Sequence, residues 1–354
     1  MTTYPRFTRR AALRGGMAAG TALLMTPYVR PSYAQENRLV CRDAGVGTTF
    51  QDIYARPFYE ATGIEVVGVV SQTEPVGMIK QMVETQTYTW DMASGMSDAA
   101  AYQLITDGDY LETLDLSAEP VWAKVPDQFK TEHFAASAVV ASCMALNTEA
   151  ASRPGSWADF WNVEAFPGRR ALRGFPLDTI EFALIADGVA PQDVYPCDLD
   201  RAFASLDRIK DHIDVWWANG AQSAQLLQNG EVDFLNTWNG RAQPLIDGGL
   251  PIAINFNESL WGGSGFIVLK GTPKADLCRQ FIAFCLEAQQ QGAYSNATGY
   301  GFTNPDALAF VSEEVAPKLP THPDNSTNYV AVDYRYWAAA RAEAVDRMNA
   351  WLLD

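Results

Sequence analysis

The stretch GEVDFLNTWNGRAQPLIDGGLPIAINFNESLWGGSGFIVLK, residues 230–270, contains three apolar runs separated by two polar segments. The pattern predicts three strands, with a short helix between the first and the second. The loop 258–264 joins the second strand to the third and places Trp261 beside two glycines. Such a loop lets the backbone approach a ligand closely, while the indole supplies a large contact surface. We therefore look for a binding site here.

Two tryptophans end consecutive apolar runs of this stretch. Trp238 closes the first run, and Trp261 follows the second. We expect the two indoles to face one another across a cleft, with Glu258 and Ser264 in the same loop as further ligand contacts. The alternative is that both tryptophans belong to the core, because Trp is highly buried on average.

Strands and helices also alternate in the first half of the chain, which predicts an α/β fold with a mostly parallel sheet. Apolar runs at 37–41 and 64–69 are typical of strands, and each lies next to a helical pattern. Ligands of such sheets bind at the carboxyl ends of the strands. Thr49, Ser97 and Asp98 lie at these ends, although Asp98 also fits the N-cap of a helix.

A second α/β unit begins after the polar segment 148–156. Asp178 stands at a helix start, where it is either an N-cap or a carboxylate that faces the cleft. Of the adjacent tryptophans before the next helix, only one points inward, and Trp217 is nearer the end of its strand. Gln222 lies at the following helix N-terminus, a place that offers hydrogen bonds to a ligand.

The first 34 residues read as an export signal and are left out of fold reasoning. The motif TRRAALR at 8–14 is typical of a twin-arginine signal, a short apolar run follows, and Ser32-Tyr33-Ala34 fits a cleavage site. The apolar run is shorter than the roughly 20 residues that a membrane span needs. We expect a soluble periplasmic protein after cleavage.

The charge balance is strongly acidic. The whole chain carries 26 basic and 42 acidic residues, and residues 1–34 hold five of the arginines and no acid, so the mature charge is −21. A surface of this kind repels nucleic acids and anionic membranes and favours cations. Simple solubility accounts for the charge equally well.

The sequence lacks the motifs of an enzyme or a metalloprotein. Its three histidines have no metal-ligand spacing, and neither a nucleophile elbow nor a phosphate-binding loop is present. Five scattered cysteines contain no Cys-x-x-Cys pair, and their odd number leaves at least one free thiol. We expect no cofactor, no metal and no catalytic residue.

Several short stretches, in the same order along the chain, resemble the spermidine/putrescine-binding branch of the periplasmic solute-binding proteins of ABC importers. The stretches are FYEATGIEV at 58–66, WDM at 90–92, GSWADFW at 155–161, GEV at 230–232 with WNG at 238–240, the segment 258–265, and GYGFTNP at 299–305.

The resemblance implies a type II periplasmic binding protein fold with two α/β lobes joined by crossovers. One lobe would take residues 36–145 and 261–305, and the other residues 146–260 and 306–354. In the family, two tryptophans sandwich a polyamine and carboxylates hold its ammonium ends. Trp238 and Trp261 match those tryptophans, and Asp178 matches one acidic anchor.

Two other acidic anchors of the family are absent. They fall on Gly263 and Phe175, and the N-terminal Trp-Thr pair falls within 44–49. Glu258 is a candidate to replace one of them. These departures favour a relative that binds a different ligand.

The sequence therefore predicts a monomeric periplasmic binding protein, not an enzyme, that delivers a small amine-bearing solute such as putrescine or spermidine to an ABC permease. The alternative is a zwitterionic or anionic solute (an opine, a betaine, an aminophosphonate or a carboxylate), for which Arg241 and the helix start at Gln222 would form the anion site. An exported enzyme is the remaining class. The predicted ligand contacts are Trp217, Trp238 and Trp261 as walls, Asp178 and Glu258 as anchors, and Thr49, Ser97, Asp98, Gln222, Ser264 and Tyr300 as polar contacts.

Overall fold

The computed structural model describes residues 37–45, 48–71 and 75–353. Residues 37–354 form one compact unit. The predicted export signal lies outside the described residues.

The described chain contains one mixed sheet, flanked by helices. Its strands are β1 Arg38–Asp43, β2 Glu65–Val70, β3 Met92–Ser97, β4 Ala135–Asn147, β5 Arg170–Arg173, β6 Val215–Trp217, β7 Phe234–Trp238, β8 Ile252–Val268, β9 Gly301–Phe302 and β10 Val330–Ala331.

The helices alternate with these strands, as the sequence predicts. A π-helical segment, Phe50–Ala55, leads directly into the first of them. The helices are α1 Arg56–Thr62, α2 Val76–Thr85, α3 Asp98–Asp107, α4 Trp157–Trp161, α5 Pro176–Ala186, α6 Leu199–Asp207, α7 Gly220–Gln228, α8 Asn239–Asp247, α9 Ala275–Cys285, α10 Ala288–Thr298 and α11 Tyr334–Leu353.

The strand order is β2-β1-β3-β8-β4-β7-β5-β6, with β9 beside β4 and β10 beside β8. Strands β1, β2 and β3 are parallel to one another, and so are β5, β6 and β7. The long strands β4 and β8 pair antiparallel in the middle and connect the two parallel groups.

Strand β8 corrects one expectation from the sequence. We predicted two strands separated by a glycine-rich loop at 258–264, whereas the structure contains one continuous strand of 17 residues. The glycines permit close pairing with β4, because a Cβ on Gly265 would lie 2.0 Å from the carbonyl oxygen of Ala135. The glycine-rich segment 258–264 therefore pairs with the backbone of β4 and does not form a loop.

The carboxyl ends of the two parallel groups face one another along β4. Ser97, at the end of β3, pairs with Ser264, which in turn pairs with Ala138 of β4. Trp238, at the end of β7, pairs with Ser142 of β4. Ala138 and Ser142 are four positions apart on β4, so the ends of β3 and β7 are separated by about 13 Å along that strand. The loops and side chains at the carboxyl ends of both groups therefore border the same gap.

Separate apolar clusters pack against the two ends of the sheet. One gathers mainly residues 39–143 and 256–286, and another mainly residues 144–234 and 330–348. Trp157 and Phe182 stack at 3.8 Å within the second cluster. Within the described residues, no helix combines the length and the apolar character needed to cross a membrane.

All five cysteines are buried free thiols. The expectation of at least one free thiol is confirmed. Burial raises the pKa of each thiol well above its ordinary value, and each therefore behaves as a small apolar core residue.

Candidate functional site

Arg173, the last residue of β5, lies at the centre of an aromatic pocket. Its guanidinium carbon is 4.7 Å from the ring centroid of Phe175, 5.1 Å from that of Trp238 and 5.7 Å from that of Trp217. The Nη1 atom donates to the Oδ2 atom of Asp178 at 2.9 Å. We did not predict Arg173 from the sequence, although its place at a strand end was the signal used for other candidates.

Asp178 pairs with Arg173 and does not cap the helix. The backbone of α5 is non-helical at Leu177 and at Asp178, which has φ 80° and ψ −53°, and in the described part of the chain no backbone N–H donates to the Asp178 carboxylate. This left-handed conformation is costly for a residue with a side chain. Burial raises the pKa of the Asp178 carboxyl, and the Arg173 guanidinium opposes that rise. Of the two predicted roles, the capping role is wrong.

Trp217 and Trp238 pack against each other and form two adjacent walls beside Arg173. Their rings meet edge to face at a centroid distance of 5.8 Å. The buried indole N–H of Trp217 donates to the Oδ1 atom of Asn236 at 3.1 Å, and the same oxygen accepts the backbone N–H of Arg173 at 2.9 Å. Trp217 is fully buried and Trp238 partly buried, so Trp238 is the wall that a solute can reach.

Hydrogen-bonding capacity remains unused in this pocket. The Nε atom of Arg173 and the Nδ2 atom of Asn236 are buried and have no hydrogen-bond partner within the part of the chain that the structure describes. Leaving such donors unpaired costs about 1–3 kcal/mol each. A ligand that accepts hydrogen bonds here would remove part of that cost.

The structure does not bring Trp261 opposite Trp238. Trp238 pairs with Ser142 and Trp261 pairs with Ala141, so the two side chains point to opposite faces of the sheet. Trp261 is buried and stacks on Tyr329 at 3.7 Å, and its indole N–H donates to Ser259. The predicted face-to-face tryptophan sandwich is wrong in this geometry, because neighbouring positions on a strand alternate in direction.

The N-terminus of α7 supports the outer side of Trp238. A Cβ on Gly220 would lie 2.8 Å from both the Nε atom of Arg241 and a ring carbon of Trp238, so only glycine allows both to pack there. Among the described residues, no carboxylate lies within ion-pair distance of Arg241. Tyr300 is also adjacent, because its ring packs on Gly240. The side chain of Gln222 instead accepts the backbone N–H of Ala218 at 2.9 Å.

On the other side of the gap, the ends of β1 and β3 enclose a cavity of about 30 Å³. Thr49 and Ser264 line it, and their role as ligand contacts stays a prediction. Asp43, the last residue of β1, also lines it and was not predicted.

Three predicted contacts have structural partners instead. Ser97 is the N-cap of α3 and accepts the N–H of Ala100, while the buried Asp98 accepts the N–H of Gly263. The Oε2 atom of Glu258 accepts the backbone N–H of Trp157 at the start of α4, at 2.9 Å. Partial burial raises the pKa of the Glu258 carboxyl. These groups fix the framework around the gap.

No group of three or more His, Cys, Asp or Glu side chains in the described part of the chain is arranged to hold a metal ion. The chemistry that the site offers is recognition of charge by the Arg173 pocket and by Asp43.

Comparison with known proteins identifies relatives along most of the chain. A model of the bacterial extracellular solute-binding protein family matches residues 54–323. The γ-aminobutyric acid (GABA)-binding protein of Pseudomonas aeruginosa is 34% identical over 311 residues, which cover 85% of this chain and 86% of that protein.

Solved structures give the same result. An ABC transporter substrate-binding protein from Bradyrhizobium japonicum matches with a TM-score of 0.81 at 31% identity, over 89% of this chain and 99% of the other. A GABA receptor matches with a TM-score of 0.78 at 34% identity, over 89% and 98% of the two chains. The predicted α/β fold of a type II periplasmic binding protein is confirmed.

Proposed function

Since this chain belongs to the bacterial extracellular solute-binding proteins and is the substrate-binding protein of an ABC transporter rather than an enzyme, we propose that its solute is a small zwitterion. A linear amino acid of the GABA type, with a carboxylate at one end and an ammonium at the other, is the solute we favour. This proposal replaces the polyamine as the leading interpretation and develops the zwitterionic alternative.

The observation that carries the proposal is the partly buried Arg173 inside an aromatic pocket, whose Nε donor has no hydrogen-bond partner among the described residues. A guanidinium holds a carboxylate with two parallel hydrogen bonds, which a lysine does not reproduce. Asp178 occupies one side of Arg173, and the Nε atom has no hydrogen-bond partner among the described residues. The unpaired Arg241 beside Trp238 adds positive charge at the same place.

A polyamine fits this pocket poorly. Both of its ends are cationic, and a cation beside Arg173 is repelled at short range. Among the described residues, Asp178 is the only carboxylate that contacts Arg173, and it is already paired with it. The names of the GABA-binding relatives support the same choice of solute.

We propose that the solute binds between two lobes, with the boundaries predicted above, and that they close on it like a hinge. The carboxyl ends of the two parallel strand groups would form the walls of the cleft, and β4 and β8 would be the connections between the lobes. After export to the periplasm, the closed protein would deliver the solute to its permease.

Isothermal titration calorimetry of the exported protein tests this proposal. We expect GABA to bind and putrescine to bind at least about tenfold more weakly. Arg173→Lys keeps the charge but loses the fork, so it should weaken GABA binding at least about tenfold. Arg169→Lys is the matched control, because Arg169 pairs with Asp233 on the surface.

Tighter binding of putrescine than of GABA, unaffected by Arg173→Lys, would overturn the proposal. Binding of an opine in place of GABA, with the same dependence on Arg173, would support the zwitterion class and indicate a larger member of it.

A further inference from the structure

The cavity at the ends of β1 and β3 is built for a cation. It lies beside Ala138 and Ser264, which mark the near edge of the gap along β4. Its polar lining comes from Asp43, Thr49, Tyr54, Ser94, Ser137 and Tyr294.

Asp43 brings a buried negative charge to this cavity. The residue is 8% exposed, and its Oδ1 atom accepts the backbone N–H of Gly45 at 2.9 Å. Among the described residues, no lysine or arginine nitrogen lies within 4.0 Å of the carboxylate. Buried carboxylates are normally paired, because removing the charge from water without a partner is expensive. Asp43 is therefore ready to accept a cation.

The tyrosines of the cavity add matching groups. Tyr54 and Tyr294 stack at a centroid distance of 5.7 Å and an interplanar angle of 19°. The hydroxyl of Tyr54 is buried and makes no hydrogen bond of good geometry with any described residue, although Ser137 stands beside it. An ammonium has three N–H donors, and a carboxylate with a phenol oxygen supplies acceptors for two of them.

The size of the cavity limits what enters. Its volume of about 30 Å³ exceeds the ~10–15 Å³ that one water molecule requires, and it leaves little more. A primary ammonium head is close to a water molecule in size. Three methyl groups on the nitrogen would instead press against the ring atoms of Phe50, Tyr54 and Phe266, which also line the cavity.

We propose that this cavity is the ammonium site of the protein, in which Asp43 and Tyr54 hold a primary ammonium group and the enclosing rings exclude a quaternary one. The inference rests on the proposed function, since it assigns the second pole of the same solute. It restricts the solute class to primary ω-amino acids and excludes betaines.

The test compares three ligands by calorimetry: GABA, its N,N,N-trimethyl analogue, and butyrate, which has no nitrogen. For the wild-type protein we expect GABA to bind at least about tenfold more tightly than either of the other two. Asp43→Asn should reduce the affinity for GABA to that for butyrate and leave butyrate binding unchanged. Tyr54→Phe should weaken GABA binding about three- to tenfold.

Asp346→Asn is the matched control, because Asp346 is exposed on α11. Unchanged butyrate binding shows that the Asp43 variant is folded. If GABA binds to Asp43→Asn as it does to the control, or if the trimethyl analogue binds as tightly as GABA, the ammonium site is refuted while the proposed function stands. If the wild-type protein prefers putrescine to GABA, the proposed function fails first.

Discussion

The Arg173 pocket and the Asp43 cavity each contain a charged side chain, and the two regions differ in how that charge is compensated. Arg173 has a partner carboxylate at 2.9 Å and three aromatic rings around it, so its charge is largely compensated before any solute arrives. Asp43 has a backbone N–H and neutral hydroxyls near it, but among the described residues no lysine or arginine nitrogen lies within ion-pair distance of its carboxylate. In our proposal the first region therefore contributes to the fold as well as to binding, whereas the second would gain its countercharge only with the solute.

The largest effect that follows from this contrast is on stability. Arg173→Gln leaves the buried Asp178 carboxylate without its countercharge, so we expect the free energy of unfolding to fall by about 3–5 kcal/mol at neutral pH. Urea denaturation followed by circular dichroism measures the change.

The pH dependence of that loss provides a check. Burial already raises the pKa of Asp178 in the folded state, and removal of Arg173 raises it further. The folded variant then holds this proton more tightly than the unfolded chain, so its stability increases as the pH falls. A deficit that stays constant between neutral and acid pH would contradict the ion-pair explanation.

The sequence predicted the arrangement of strands and helices better than it predicted which charged side chains lie in the site. Alternating strands and helices indicated the α/β fold, because hydrophobic period and glycine position are local properties. The pocket depends on the pairing of β5 with β6 and β7, which brings Arg173, Trp217 and Trp238 together. No short motif encodes such a contact.

Tertiary pairing also explains why the predicted ligand contacts Glu258 and Asp98 have structural partners instead. The sequence predicted Glu258 in a loop and Asp98 at a helix start, so both resembled ligand anchors. In the structure they accept backbone N–H groups of Trp157 and Gly263. Whether an acid binds a ligand or a neighbouring backbone depends on tertiary pairing. For the same reason the sequence did not single out Asp43, whose carboxylate accepts the backbone N–H of Gly45.

Glu181 gives a second, pH-dependent prediction. It is fully buried in α5. Its Oε1 atom accepts hydrogen bonds from Tyr195 and Trp337, and its Oε2 atom has no hydrogen-bond partner among the described residues. Burial raises the pKa of Glu181 to about 7. Because the folded state binds the proton more tightly than the unfolded state, stability should decrease by about 3 kcal/mol as the pH rises from about 4.5 to about 8.

Glu181→Gln should remove most of this slope, because an amide does not titrate. Thermal unfolding measured across the pH range, with Glu343→Gln on the exposed face of α11 as the matched control, tests the assignment. An equal slope in the Glu181 variant and the control would assign the pH dependence to other groups.

The smallest change in stability is expected for substitution of Asp43. The sign of that change distinguishes the Asp43 cavity from the Arg173 pocket. Asp43→Asn removes an uncompensated buried charge, so the solute-free protein should become more stable, by up to about 1 kcal/mol, even though it loses affinity for the ammonium group. The same substitution at Asp178 breaks an existing ion pair and should destabilise the protein. Urea denaturation of the two variants without solute compares them directly. A loss of stability in Asp43→Asn as large as that in Asp178→Asn would mean that Asp43 has a structural partner, and the two regions would then bury charge in the same way.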